Sequence, residues 1–132
     1  MNRLFAVALC GAFAQAEQSH VITLTDENFD KMIKSHPYDN HWFVKFYAPW
    51  DHHSKDLAPT WENFAELWAD KVNVGEVNCT EQWNLCKRMK IKGYPSLYFF
   101  ALGEPLEHFY DYHGARMIDD FVHYSVWEEY KG

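Results

Sequence analysis

The sequence predicts an α/β fold, a central mixed β-sheet flanked by helices on both faces. Three observations carry it. Residues Trp42 to Ala48 form a nearly unbroken apolar run, as expected of a central strand buried on both faces. Leu57, Trp61, Phe64, Ala65 and Trp68 recur at helical spacing and mark a long amphipathic helix. Short β-type runs alternate with helical patterns in the order βαβαβαββα, which layers helices over a sheet.

The elements follow in order. Val21 to Thr25 reads as a short strand. Asp26 is placed to cap the next helix, on which Phe29, Met32 and Ile33 share one face, with His36 and Pro37 ending it. After the central strand comes the long helix, where Pro59 predicts a kink. Val72 to Cys79 is a third strand, rich in valine. Thr80 is a good cap for a short helix carrying Leu85, Cys86 and Met89. Gly93-Tyr94-Pro95 breaks the chain before the strand Ser96 to Leu102. Gly103-Glu104-Pro105 turns it, and His108 to Tyr112 is the hairpin partner. The last helix starts near Ala115 and buries Ile118, Phe121, Val122 and Val126.

The chain of 132 residues has room for one domain. Residues 1–16 look like a secretory signal: Arg3, an apolar stretch from Leu4 to Phe13 too short to span a bilayer, and the A-x-A pattern Ala14-Gln15-Ala16. The domain proper is then 17–132. The net charge is −7, and losing the signal removes Arg3 and no acid. That balance argues against nucleic acid and anionic membrane surfaces as partners, and no other segment is apolar enough for membrane insertion. The C-terminus Glu128-Glu129-Tyr130-Lys131-Gly132 is not a K-D-E-L-type retrieval signal. The endoplasmic reticulum lumen or secretion is the expected destination. The six Trp, eight Tyr and ten Phe are more than one small core needs, so some aromatic surface should be exposed and available to a partner.

The segment Ala48-Pro49-Trp50-Asp51-His52-His53-Ser54-Lys55-Asp56-Leu57-Ala58-Pro59 resembles the active-site segment of the protein disulfide isomerase branch of the thioredoxin family, usually A-P-W-C-G-H-C-K-x-L-A-P. Phe46-Tyr47 before it, Gly93-Tyr94-Pro95-Ser96-Leu97 and Tyr112-His113-Gly114-Ala115-Arg116 match further family segments at the family's spacing. The resemblance covers essentially the whole chain after the signal and implies the thioredoxin fold, with Pro95 following a cis peptide bond.

The departures matter as much. Asp51 stands at the position of the nucleophilic cysteine and Ser54 at that of the resolving one. Dithiol exchange needs thiolates, so no catalytic residue is expected here and the domain resembles a redox-inactive variant. Catalytic relatives carry a buried acid on the strand leading into the site; the matching residue is Lys45. Asp51 should be stable at the start of the long helix, where free N–H groups and the dipole favour an anion. An unpaired buried ammonium is costly, so Lys45 is expected to reach an acid, with Asp51 the leading candidate, or else to extend to solvent.

Cys10 leaves with the signal. Cys79 and Cys86 remain as an even pair in a chain bound for an oxidising compartment, and some relatives carry a similar pair. A structural disulfide is expected; exchange with client thiols is the alternative. The other site readings are weaker. Asp51-His52-His53 has no second cluster of Cys or His to complete a metal site. Asp51, His53 and Ser54 share one helical turn, poorly placed for a hydrolase relay. Asn78-Cys79-Thr80 formally fits the N-glycosylation pattern, with a plain Asn preferred. No metal or cofactor is expected. The favoured function is binding: an unfolded or extended polypeptide would lie on Trp50, His52, His53, Tyr94 and Pro95, pairing with the backbone beside Pro95. A structural subunit docked on a stable protein partner and a weak oxidoreductase using Cys79 and Cys86 are the alternatives.

Overall fold

The computed structural model describes residues 19–34 and 40–131, with side chains to Val126. The proposed signal, Cys10 and the helix stop at His36 and Pro37 lie outside the described residues. The elements are β1 (Ile22–Thr23), α1 (Phe29–Lys34), β2 (Trp42–Tyr47), α2 (His52–Trp68), β3 (Asn73–Asn78), α3 (Trp83–Arg88), β4 (Ser96–Phe100), β5 (Tyr110–Tyr112) and α4 (Ile118–Lys131). Every predicted element is present. The strands form one five-stranded sheet in the order β1-β3-β2-β4-β5. β3 lies parallel to β1 and β2, while β4 runs antiparallel to β2 and β5. This is the thioredoxin fold, a mixed sheet between helices.

The central position of β2 explains its apolar run, because side chains on both of its faces must be buried. Trp42, Val44 and Phe46 join one cluster, with Phe29 and Ile33 of α1 and Leu85 and Cys86 of α3. Phe43 joins the other, with Leu57, Trp61, Phe64 and Ala65 of α2 and Phe121 of α4. The period-2 alternation of a strand thus assigns α1 and α3 to one face and α2 and α4 to the other. The second cluster is largely aromatic. The Phe43 ring meets Trp61, Phe64, Phe99 and Phe121 edge-on, at centroid distances of 5.3–5.9 Å. Trp61 satisfies its buried Nε1–H on the Gly75 carbonyl, 3.0 Å away. Gly75 itself has no room for a side chain: a Cβ would stand 2.9 Å from Leu24 and 3.1 Å from Trp42.

Several local expectations need correction. β1 is shorter than predicted, although the Leu24 N–H still donates to the Glu76 carbonyl. Asp26 does not cap α1. At that start Thr25 and Asn28 exchange bonds, each side-chain oxygen accepting from the other's N–H. The Asp26 carboxylate instead accepts from the Leu85 N–H in the first turn of α3, at 2.9 Å. Gln82 returns the bond by accepting from the Asp26 N–H. Thr80 is likewise not the cap of α3; both its N–H and its hydroxyl donate to Asn78 Oδ1. The last helix begins at Ile118, not Ala115; among its described positions Phe121 and Ser125 are buried, and the expected Ile118 and Val122 pack, partly buried, on the cluster that holds Phe121. The Ser125 hydroxyl is satisfied by the Phe121 carbonyl. As expected of the long helix, α2 contains Pro59 within its span.

Candidate functional site

The site forms where β2 ends, α2 begins and the chain enters β4. Asp51 is the N-cap of α2. Its backbone is extended, and its carboxylate accepts from the Ser54 N–H at 2.9 Å, satisfying one of the free donors of the first turn. The carboxylate at the nucleophile's position is therefore a structural acceptor. Ser54 is buried, and its hydroxyl oxygen accepts from the Ala48 N–H at 3.3 Å. It ties the end of β2 to the helix.

Trp50 is 65 % exposed. Its ring stands edge-on to Tyr94, with centroids 5.7 Å apart. The Tyr94–Pro95 bond is cis, and Pro95 is buried beside the half-buried Tyr94. Arg116 donates from Nη2 to the Pro95 carbonyl at 3.3 Å. The predicted recognition residues Trp50, Tyr94 and Pro95 are thus brought together. His52 and His53 are exposed on the first turn of α2 with their rings 5.9 Å apart. His52 pairs with Asp56 at 3.2 Å, one turn further along α2.

Lys45 neither reaches Asp51 nor extends to solvent. Its ammonium pairs with Glu76 at 3.4 Å and lies 4.8 Å from the centre of the Tyr47 ring. Lys45 and Glu76 are register partners on adjacent parallel strands, so the backbone itself presents one to the other. Burial holds the Lys45 ammonium below its usual range, and the nearby Glu76 charge opposes that shift. Burial likewise raises the Glu76 carboxyl, with Lys45 opposing. A cavity of about 300 Å³ behind the loop is lined by Lys45, Tyr47, Ser54, Ala58, Glu62 and Glu76, among others. An acid of β3 therefore lines the same cavity as Ser54. Sequence reasoning missed Glu76. Val74 and Glu76 alternate along β3 onto one face, but the residue that Glu76 meets on β2 is set by the register alone.

Cys79 and Cys86 are joined by a disulfide and are 5 % and 6 % exposed. It links the end of β3 to α3. The described residues include no group of three or more His, Cys, Asp or Glu placed to hold a metal ion, and no helix long and apolar enough to cross a membrane.

The thioredoxin family profile matches residues 20–125. The chain belongs to the thioredoxin family. It is 40% identical over 113 residues to a thioredoxin domain-containing protein of Theileria parva, covering 83% of this chain and 50% of that protein. It is 35% identical over 125 residues to protein disulfide isomerase-like 5-1 of rice (Oryza sativa subsp. japonica), covering 92% and 82%. Among solved structures, the J-Trx1 fragment of ERdj5 superposes with a TM-score of 0.73 at 34% identity, covering 83% of this chain and 51% of that one. This thioredoxin domain is thus related to members of the disulfide isomerase family. It spans half the length of the Theileria protein.

Proposed function

We propose that this disulfide isomerase-like thioredoxin domain is non-catalytic and holds extended or unfolded polypeptide in the secretory pathway, in the endoplasmic reticulum lumen or after secretion. The observation that carries the reading is the start of α2. Two non-thiol side chains occupy the redox positions, Asp51 as helix cap and Ser54 as a buried tie. Trp50 stays open to solvent against the half-buried Tyr94, beside Pro95. Such a site offers ring surface and backbone to a client while lacking a nucleophile. The burial of Cys79 and Cys86 speaks against exchange with client thiols, which needs access to sulfur.

The test is insulin reduction and reactivation of scrambled ribonuclease. The protein should show no turnover above background, and the double replacement Asp51→Cys with Ser54→Cys should gain exchange activity. With Glu76 lining the same cavity as residue 54, that gain should fall when Glu76→Gln is added. Turnover by the unaltered protein at rates typical of disulfide isomerases would end this reading. The exposed Leu67, Trp83 and Met117 favour a second one, permanent docking on a stable protein partner. Co-purification at fixed stoichiometry, with no affinity for unfolded chains, would select it.

A further inference from the structure

The segment Lys87-Arg88-Met89-Lys90-Ile91-Lys92 holds four of the chain's 12 lysines and arginines and no acid, in a protein of net charge −7. The end of α3 determines where these charges go. Lys90 adopts φ +59°. Its N–H bonds the Lys87 carbonyl, and the Ile91 N–H reaches back to the Cys86 carbonyl, the bonding of a Schellman stop. Ile91 packs on the core, while Lys90 and Lys92 are exposed and form no ion pair among the described residues.

Both lysines line a groove of about 390 Å³ together with Tyr94, Pro95, Asp111 and Arg116, among others. Its acid, Asp111, lies 3.3 Å from His113 Nε2. Arg116 is fixed at the site by its bond to the Pro95 carbonyl. The groove is therefore cationic on an acidic molecule, and it shares Tyr94 with the aromatic pair formed with Trp50. Resting on the polypeptide-holding reading above, we propose that this groove gives the site a charge preference. It takes extended segments in which an apolar side chain, seated on Trp50 and Tyr94, is flanked by acidic residues that meet Lys90, Lys92 and Arg116. Solvated charge pairs act here mainly by selecting among partners and speeding encounter.

The test is fluorescence anisotropy with two labelled unstructured peptides that share one central Trp and differ in three flanking positions, Glu in one and Gln in the other. The acidic peptide should bind roughly tenfold more tightly at low salt, about 1.4 kcal/mol, and the ratio should shrink towards one as salt rises. In Lys90→Glu with Lys92→Glu, confirmed as folded by circular dichroism, the ratio should fall to within about twofold. Equal binding of both peptides to the unaltered protein would overturn the charge preference and leave the polypeptide-holding reading standing. Binding of neither would overturn both. A preference that survives the double replacement would overturn the assignment to this groove, and tighter binding of a sulfated oligosaccharide of equal charge would overturn the choice of polypeptide as its occupant.

Discussion

Glu76 and Lys45 neutralise one another where each alone would be expensive. Removing the carboxylate in Glu76→Gln leaves an ammonium whose side chain is 4% exposed. The neutral amide also escapes the burial cost that raises the carboxyl, so the two effects oppose and the net change at neutral pH should stay within about 1 kcal/mol. The pH dependence follows from the raised Glu76 carboxyl. Its folded value lies above the ordinary 4.5, so its contribution is fully present below that value and is lost as pH rises through the folded one. The unaltered protein should therefore gain stability relative to Glu76→Gln as pH falls from neutrality towards 4.5. Urea unfolding across that range checks it, and a relative loss by the unaltered protein on acidification would reverse the assigned direction. The sequence marks Lys45 as a charge inside an apolar run. It does not mark Glu76 as the partner, because that pairing exists only once β3 lies beside β2 in one register. Asp51 was nearer along the chain but is committed to the Ser54 N–H.

A helix of six residues such as α3 is too short to persist alone. Two tethers hold it: the Cys79–Cys86 disulfide and the exchange of bonds between Asp26 and the first turn of α3. Replacing both cysteines by serine should cost about 2–3 kcal/mol on the loop-entropy model, and Asp26→Ala about 1 kcal/mol. Because both tethers act on the same element, the combined variant should lose less than the sum. Denaturant unfolding of the four proteins in the cycle measures this, and strict additivity would show that the tethers act independently. The placement of the elements was legible from periodicity, and the disulfide from the cysteine pair and the family likeness. The caps were not. A capping residue is recognised by its neighbours in sequence, whereas Asp26 caps a helix 59 positions away. Composition near α3 suggested Thr80 as a local cap, and tertiary contact overrode it; at α1 the cap is local but comes from Thr25 and Asn28.

Across the whole molecule the sheet separates two clusters, and the aromatic one is organised around Phe43. Phe43→Ala should cost about 3–5 kcal/mol, since rings on every side would face a void. Trp50→Ala should leave unfolding nearly unchanged, because Trp50 is 65 % exposed, yet weaken binding of the peptides described above. Thermal melts and anisotropy on the two variants separate the core ring from the surface ring; a large stability loss at Trp50 would place it in the framework instead. Fold class was legible because alternation and helical spacing are local signals that here agree along the whole chain. The cationic groove was not, since Lys90, Lys92 and Arg116 meet only after the antiparallel β4–β5 pair brings the two segments together.

The facing of Lys45 and Glu76 also has a consequence for how the strands find their alignment. Sliding β2 by one residue against its neighbour would turn the lysine away from the glutamate and into the greasy layer around Phe29 and Phe100. Hydrophobic side chains would tolerate such a misalignment far better than an ammonium stripped of its counter-ion. The buried charges thus penalise the wrong strand alignments more than they strengthen the right one.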